Sequence, residues 1–353
     1  MKRFLLIVLL LVTWPAFGQL LERRPAWEPI QFPVSFFKVQ VPTDTLSFYI
    51  LGDIMSHGAV VRSAAKWGYE GFFKHIAPQL EGADVAIGNL EFPLAGKPYT
   101  GYPAFSGPDT YAQYLSDIGL DVFLTANNHI LDKGSRGLTR TIGQLEERGL
   151  LYTGISASEG ADTLLNPLFL SVKGVRVAIV NATYGTNLGA SARWPKVHYL
   201  REEALAPVMR RARQADIVLV FPHWGIEYAS RHSPEQERMA RWFIDQGAHV
   251  IVGAHPHVVQ DVQRIDGVPV FYSLGNAISN QNDAPARLEA ALTLRFVLRL
   301  GEPPRLLEPS LEYLWCAKPG MVEDSFTVVP VSLPDSCWRV AADYMKMVQT
   351  LAR

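Results

Sequence analysis

The side chains of this sequence that could do chemistry lie in five short polar clusters, each directly after an apolar run. The clusters combine carboxylate, amide and imidazole groups and occupy 51–57, 88–91, 126–132, 222–227 and 253–257. They hold five of the nine histidines, which chance placement would scatter along the chain. Oxygen ligands mixed with imidazoles suit Zn, Mn or Fe, and the absence of Cys from the clusters disfavours a structural zinc site. The pattern predicts a site for one or two divalent metal ions.

The strongest local signal is the His-Pro-His segment at 255–257. Residues two apart in an extended segment point the same way, so both imidazoles can face one ion or two adjacent ions. Taken alone, two histidines hydrogen-bonded in a surface turn explain the segment equally well, but the other four clusters favour metal ligation. Asp53, Asn127 and Asn128 are weaker signals, because each alone could serve a strand end or a tight turn.

The clusters require strands that end together, because ligands of open α/β sheets bind at the carboxyl ends of strands. Apolar runs predict strands at 46–51, 85–90, 122–125, 217–221 and 250–252, and helical patterns alternate with them at 64–80, 110–118, 138–148, 202–214 and 234–246. Hairpins are predicted around Lys173-Gly174 and Asp266-Gly267, a last strand at 289–300 and a closing helix at 341–352. This order predicts an α/β fold with two half-sheets of mixed character.

The N-terminus has the features of a secretory signal peptide. Two basic residues precede an apolar run over 4–12, and small residues at 16 and 18 suit a cut before Gln19. The run is too short to cross a bilayer, which needs roughly 20 residues. We therefore expect residues 1–18 to be removed and the protein to be exported to the periplasm or cell envelope, with an uncleaved N-terminal anchor as the alternative.

The rest of the chain divides into three predicted parts. Prolines interrupt 19–43 without clear periodicity, which indicates an extended lead-in; 44–300 holds all five clusters and reads as one domain; 301–353 reads as a C-terminal extension. In an exported protein, Cys316 and Cys337 are expected to form a disulfide. The alternative is two buried free thiols.

The charge of the chain bears on its partners. The formal net charge is −1, and removal of 1–18, with its two basic residues, leaves about −3 with no long basic run. We therefore expect no nucleic acid partner.

Taken together and in this order, the clusters resemble the capsule-synthesis family named for poly-gamma-glutamate production. The blocks of that family are similar to GDxM, GNLE, NNHxxD, HWG, GxHPH and SLGN, and all six occur here between 52 and 276. The family is similar in turn to the calcineurin-like metallophosphoesterases. This resemblance implies an α-β-β-α sandwich of two mixed sheets flanked by helices, with a two-metal site.

The resemblance also assigns roles to residues at the matching positions. It implies that Asp53 and His257 hold one metal, that Asn128, His223 and His255 hold the other, and that His129 donates a proton to the leaving oxygen. His57, Asn89, Asn127 and Asn276 are expected to contact the substrate.

Two positions depart from the pattern of the metallophosphoesterases. The DxH opening is absent, since His57 lies four residues after Asp53, and Asn89 stands where a bridging Asp is expected. Glu91 is the candidate for the missing carboxylate. The sequence leaves open a site with one metal, a site of reduced affinity, and a site that binds without hydrolysing.

Two functions follow from the resemblance. The first is a metal-dependent hydrolase that acts on a phosphoester or on a bond of an anionic envelope polymer such as poly-gamma-glutamate. The second is a non-catalytic component that binds or guides such a polymer within a membrane capsule-synthesis complex. The segment 95–108, rich in aromatic residues, proline and glycine, could serve as a substrate platform or as a loop pinned by its own aromatic side chains.

Overall fold

The computed structural model describes residues 43–189 and 193–339. The predicted signal peptide, the lead-in up to residue 42 and the predicted closing helix at 341–352 lie outside these ranges. Within them, no helix has both the length and the apolar character needed to cross a bilayer.

The described residues contain seventeen strands and seven α-helices. In chain order the strands are β1 Thr43–Ile54, β2 Val85–Leu90, β3 Val122–Leu124, β4 Leu151–Thr153, β5 Ile155–Ser156, β6 Leu168–Val172, β7 Val175–Thr183, β8 Lys196–Val197, β9 Ile217–His223, β10 Val250–Val252, β11 Val262–Ile265, β12 Val268–Phe271, β13 Asn276–Ile278, β14 Leu288–Arg299, β15 Arg305–Leu306, β16 Ser310–Ala317 and β17 Thr327–Pro330. The helices are α1 Gly58–Trp67, α2 Ala77–Gly82, α3 Asp109–Asp117, α4 Gly134–Glu147, α5 Glu159–Leu165, α6 Glu202–Ala212 and α7 Pro234–Asp245.

The first sheet is built around β1. Its order is β17-β16-β14-β1-β2-β3-β4, with β13 also paired to β1 and β15 to β14. Strand β1 runs parallel to β2, with Phe48 opposite Val85, and antiparallel to β14, with Phe48 opposite Leu294. Both faces of β1 are buried, which explains why its sequence reads as a nearly continuous apolar run and not as an alternating one.

The second sheet has the order β11-β12-β10-β9-β7-β6. Strands β7, β9, β10 and β12 run parallel, whereas β6 and β11 pair antiparallel at the two edges. The two hairpins predicted at these edges are confirmed. Their turns place Lys173-Gly174 and Asp266-Gly267 at positive φ, the conformation that two-residue hairpin turns favour.

Three apolar clusters define the layers. Phe48 and Ile50 of the first sheet pack with Ile179 and Leu219 of the second, so the sheets share a core. Residues of α1, α3 and α4 cover the other face of the first sheet, and residues of α6 and α7 cover the other face of the second. The predicted sandwich of two mixed sheets flanked by helices is confirmed.

Two predicted elements are wrong in extent. The helix expected at 64–80 is two shorter helices, α1 and α2, because Gly68 ends α1 with φ 76° and Pro78 stands in the first turn of α2. The strand expected to be the last, β14, is followed by β16 and β17, which add to the edge of the first sheet. The sheet therefore continues past residue 300, where the C-terminal extension was expected to begin.

The expected disulfide is also wrong. Cys316 and Cys337 are both free thiols, the first buried and the second exposed. The Sγ of Cys316 lies on the core side of β16, where it donates to the carbonyl oxygen of Ser279 over 3.3 Å. A thiol held inside the sheet core cannot meet one on the surface without moving the strand.

Glycines allow the strand ends to approach one another. A Cβ on Gly52 would lie 2.1 Å from the carbonyl oxygen of Gly275, and a Cβ on Gly253 would lie 2.1 Å from the carbonyl oxygen of Tyr272. The amide of Asp53 donates to the same Gly275 oxygen over 2.9 Å. Glycine at 52 and 253 therefore permits the close approach of the backbone just before Asp53 and His255.

Candidate metal centre

The polar clusters meet where strands of both sheets end. Asp53 near the end of β1 lies opposite Asn89 of β2, and His223 ends β9. The backbone amide of His255, three residues after β10, donates to Oδ2 of Asp53 over 3.2 Å. This bond links a loop that follows the second sheet to a strand of the first. The placement agrees with the rule that the carboxyl ends of strands form the binding edge.

Two groups of three side chains have the spacing of a metal site. Glu91, His255 and His257 form one group, and Asp53, Glu91 and His223 form the other; within each group the candidate ligand atoms all lie within 4.8 Å of one another. All five residues are buried. Glu91 belongs to both groups, which fits its predicted role in place of the missing bridging Asp.

Two unpartnered atoms show that the pocket suits a cation. Over the described parts of the chain, neither Oε1 of Glu91 nor Nδ1 of His255 has a hydrogen-bond partner, although both are buried. Buried polar atoms are nearly always bonded, so such atoms need an explanation. Oε1 of Glu91 lies 3.6 Å from Nε2 of His223 and 3.9 Å from Nε2 of His257, beyond hydrogen-bond range. Donors that converge without bonding to each other fit a bound metal ion.

The carboxylates have opposed electrostatics. Burial alone would raise the pKa of Asp53, but the hydrogen bond and charge of His257 and the charge of His223 hold that pKa below its usual value. Burial raises the pKa of Glu91 well above its usual range, and the charge of Asp53 adds to the effect. The surroundings therefore favour the ionised form of Asp53 and disfavour the ionised form of Glu91, and a nearby cation would offset the second effect.

The histidines are poised as neutral ligands. Burial lowers the pKa of His255 to about 3, with a further contribution from His257, and burial together with His255 lowers the pKa of His223 well below its usual value. Neutral imidazole is the form that binds metals. At neutral pH these rings therefore need to lose no proton before binding.

Three of the predicted substrate-binding residues lie behind the ligands. Nδ2 of Asn89 donates to Oδ1 of Asp53 over 2.7 Å, and Nδ2 of Asn127 donates to Oδ1 of Asn89 over 3.2 Å. Nδ1 of His257 lies 3.0 Å from Oδ1 of Asn276 and 3.3 Å from Oδ2 of Asp53. These buried amides orient the ligands, as the outer shell of a metal site does. Their direct contact with a substrate stays a prediction.

The remaining candidate ligand, Asn128, pairs with His223. Its Oδ1 lies 2.9 Å from Nε2 of His223, so both can face one ion, as the resemblance implies. The two groups of close donor atoms differ from the implied pairing elsewhere: His255 is grouped with His257, whereas Asp53 is grouped with His223. The ligand assignments therefore stay predictions, within a set of residues that the fold brings together.

His129 is held by a carboxylate. Its Nδ1 lies 2.7 Å from Oδ2 of Asp132, and the same oxygen accepts from the amide of Phe105 over 2.8 Å. The ring of Phe105 meets His129 edge-on, with 4.6 Å between ring centroids. This arrangement fixes the orientation of the imidazole through Nδ1, and Nε2 takes no part in these contacts.

His57, the fourth predicted substrate contact, packs against Phe105, which in turn packs against His129. Their rings meet edge-on at 5.2 Å between centroids, and Nδ1 of His57 accepts from the amide of Asn280 over 3.3 Å. Burial, with the charges of His257 and His129, lowers the pKa of His57 to about 4. A half-buried neutral imidazole at this place can offer or accept a hydrogen bond.

Two residues of the loop after β7, Tyr184 and Asn187, belong to the site and were not predicted. Nδ2 of Asn187 lies 3.1 Å from Nδ1 of His129, and its backbone amide donates to the carbonyl oxygen of Asn128 over 2.9 Å. The ring of Tyr184 packs against His255 at 4.6 Å between centroids. Both lie just after β7, so the same strand-end rule would have found them.

Glu289, a buried carboxyl group in β14, lies beside the backbone of β1 and was also missed. Its Oε1 accepts from the amide of Gly52 over 2.5 Å, whereas its Oε2 has no hydrogen-bond partner within the described ranges. Burial raises its pKa to about 8, and the charge of Asp53 contributes. No strand-end position marks this residue in the sequence.

Glu91→Gln should remove bound metal, because it takes the negative charge and a donor from both groups at once. Elemental analysis of protein dialysed against metal-free buffer measures this loss. Glu227→Gln, which removes an exposed carboxylate near the site, is the matched control and should keep the metal content of the parent. Retention of metal by Glu91→Gln would contradict the assignment.

Glu289→Gln should change how stability depends on pH. Between the ordinary carboxyl pKa of 4.5 and the folded-state pKa of about 8, the unfolded chain loses a proton that the folded protein keeps, so the parent loses stability as pH rises. Relative to the variant, the loss should reach at most about 1.4 kcal/mol for each pH unit in this window. Urea unfolding at pH 5 and pH 8 with a chelator measures it. The free energy of unfolding of the surface variant Glu81→Gln should change with pH as that of the parent does. The same pH dependence in Glu289→Gln would disprove the effect.

Comparison with known proteins gives a family. A family model described as "Bacterial capsule synthesis protein PGA_cap" matches residues 47–281. The chain is 30% identical over 288 residues to the capsule biosynthesis protein CapA of Bacillus anthracis, covering 78% of this chain and 66% of that protein. It is 32% identical over 248 residues to the PGA biosynthesis protein CapA of Bacillus subtilis, covering 67% and 64%. The chain thus spans just under two thirds of the length of these relatives.

Among solved structures, the NAD nucleotidase of Haemophilus influenzae is 12% identical with a TM-score of 0.45, covering 87% of this chain and 55% of that one. A likeness this distant adds nothing on fold or activity. The family match covers the segment that supplies every candidate ligand. The chain therefore belongs to the bacterial capsule synthesis protein family, PGA_cap.

Proposed function

We propose that this protein is an exported, metal-dependent hydrolase of poly-gamma-glutamate capsule metabolism that cleaves a phosphoester or a polymer bond. The observation that carries the proposal is the position of Glu91, a buried carboxylate with an unpartnered oxygen that is shared by two groups of metal donors. Membership in the capsule synthesis family supports the biological setting, and the names of the Bacillus relatives refer to capsule and PGA biosynthesis.

The chemistry follows from the donor set. When bound, a divalent ion supplies Lewis acidity toward water and toward a phosphoryl or carbonyl oxygen. Asp53, Glu91 and the imidazoles of His223, His255 and His257 would hold the ion or ions. The buried amides behind them keep Asp53 and His257 in place, so little reorganisation is needed during reaction.

His129 is the proposed proton donor. Its Nδ1 is held by Asp132, so Nε2 is the atom that would deliver a proton to the leaving oxygen. The edge contact with Phe105 restricts rotation of the ring and limits the access of water from that side. General acid catalysis by a positioned imidazole contributes typically about 10² to 10⁴ in rate.

A second function is favoured by Asn89. This amide stands where the resemblance expects a bridging carboxylate, and its Nδ2 occupies Oδ1 of Asp53. A neutral amide contributes no charge toward a second cation. The alternative is a non-catalytic component that uses metal to bind or guide an anionic polymer within a membrane capsule-synthesis complex.

Export is part of the proposal and rests on the basic, apolar and small residues at the start of the sequence. N-terminal sequencing of the protein recovered from the envelope fraction of the producing cell should begin at Gln19. A chain that keeps residues 1–18, or that stays inside the cell, would contradict a cleaved signal peptide.

His129→Ala should lower hydrolysis by about 10² to 10⁴ without loss of bound metal, because His129 acts on the leaving group and belongs to neither donor group. Turnover is measured with Mn or Zn against a phosphodiester, a phosphomonoester and poly-gamma-glutamate. His75→Ala, a substitution in a surface ion pair with Glu323, is the matched control and should keep the parent rate.

The outcomes separate the two functions. Hydrolysis of any one of these substrates that depends on metal and on His129 supports the hydrolase. Binding of metal and polymer by the parent with no hydrolysis, and with polymer binding unchanged in His129→Ala, would overturn the hydrolase in favour of the polymer-binding role.

A further inference from the structure

A basic groove lies outside the candidate metal centre, between the start of α4 and the loop that follows β2. Its volume is about 320 Å³, and Lys97, Lys133, Arg136 and Arg140 line it together with small residues of the loop. Four cationic side chains at one cavity contrast with the net charge of −1 of the whole chain. None of the four belongs to the donor groups of the metal centre.

One of the four cations is structural. Nη1 and Nη2 of Arg140 donate to the two carboxylate oxygens of Asp109, each over 2.7 Å, and Nη1 also donates to the carbonyl oxygen of Leu94. Arg140 therefore fixes the loop against α4. This bidentate pair neutralises Arg140, so its charge is not what the groove offers to a ligand.

The other three cations carry uncompensated charge. Across 43–189 and 193–339, no ion pair or side-chain hydrogen bond involves Lys97, Lys133 or Arg136. The nearest ring to Lys97 is that of Tyr99, with 6.0 Å between Nζ and the centroid. Three cations around one cavity repel each other, and an anion bound between them would remove that repulsion.

The position of two of these cations adds to the effect. Lys133 is the residue at the N-terminal cap of α4 and gives no side-chain cap, Arg136 lies in the first turn, and that turn has no acidic residue. The positive end of the helix dipole disfavours cations there and favours anions. The first turn of helix α4 is therefore less stable than it would be with an acidic residue there. A bound anion would supply the missing negative charge.

The shape of the groove indicates the kind of anion. Gly137 lets the helix approach the loop, because a Cβ there would lie 2.5 Å from Cβ of Lys133 and 3.3 Å from Cβ of Ala95. The lining holds no aromatic side chain on which a nucleic acid base could stack. It also holds no large apolar side chain that could enter a membrane. The carboxylates of a flexible chain can bind here because they need neither an aromatic ring to stack on nor a large apolar side chain.

We propose that this groove binds the side-chain carboxylates of an acidic polypeptide at a site separate from the metal centre. The groove and the metal centre share two segments: Lys133 directly follows Asp132, which holds His129, and Ser106 of the groove directly follows Phe105, which packs on that ring. The groove therefore borders the two segments that position the proposed proton donor. As a route to the metal centre this rests on the proposed function; as a binding site it does not.

The test titrates the purified full chain into fluorescently labelled poly-glutamate at low salt and follows anisotropy. Lys133→Gln/Arg136→Gln should weaken binding about tenfold, the combined effect of two exposed charge contacts. Arg210→Gln/Arg305→Gln removes the same charge from exposed positions on α6 and β15 and should leave affinity unchanged. Lys97→Gln, on the opposite wall, should weaken binding about threefold and gives an independent reading if the double variant misfolds.

Two further arms identify the ligand and the site. A single-stranded DNA oligonucleotide and vesicles with anionic lipid are titrated in the same way, and tighter binding of either than of poly-glutamate would overturn the assignment to an acidic polypeptide. His255→Ala should lose metal, and adding Lys133→Gln/Arg136→Gln to that variant should still weaken poly-glutamate binding about tenfold. Equal affinity of the groove variants and the parent, or loss of binding only in His255→Ala, would overturn the groove. Failure of hydrolysis alone leaves these binding results, and so the groove, intact.

Discussion

Two carboxylates buried side by side, Asp53 and Glu91, impose the constraint on which the rest of the site depends. Burial and the charge of Asp53 disfavour ionisation of Glu91, and no hydrogen bond reaches its Oε1 within the described residues. Three imidazoles surround the pair, and burial lowers the pKa of two of them, His223 and His255. These two buried rings therefore favour the neutral form, in which they do not balance the charge of Glu91. A divalent cation at this place would satisfy the carboxylates and the unpartnered nitrogen of His255 together.

The packing of the two sheets makes this arrangement of side chains possible. The shared core fixes the sheets face to face, so strands β1 and β2 of one sheet end near β9 and β10 of the other. Gly52 and Gly253 remove the Cβ atoms that would collide with neighbouring carbonyl oxygens. The amides of Asn89 and Asn276 then orient Asp53 and His257. Three effects therefore position the ligand atoms: the shared core of the two sheets, the close backbone approach at the glycines, and the hydrogen bonds from the amides.

Much of the fold and of the site could be predicted from local pattern, because apolar runs followed by polar clusters mark strands that end at a binding edge. Asn187 follows the same rule, but its loop after β7 lacks the histidine and carboxylate side chains that mark the other clusters. Its place in the site was therefore not predicted. Long-range packing was not predictable: β16 and β17 have no pattern that reveals which sheet edge they join, and Glu289 is an ordinary strand residue until β14 lies beside β1. Cys316 faces a core that only the assembled sheet creates.

The pairing of β1 with β14 has a consequence for how the protein would acquire a metal. Strand β1 is held between a partner only about 40 residues later, β2, and one nearly 250 residues later, β14. Contacts so distant along the chain cost more loop-closure entropy than local ones, which slows folding. In the unfolded chain only His255 and His257 are neighbours, and two imidazoles alone make a poor chelator that any transition metal can occupy. Any discrimination among metals would therefore belong to the finished fold, in which His255 and His257 lie beside Asp53, Glu91 and His223.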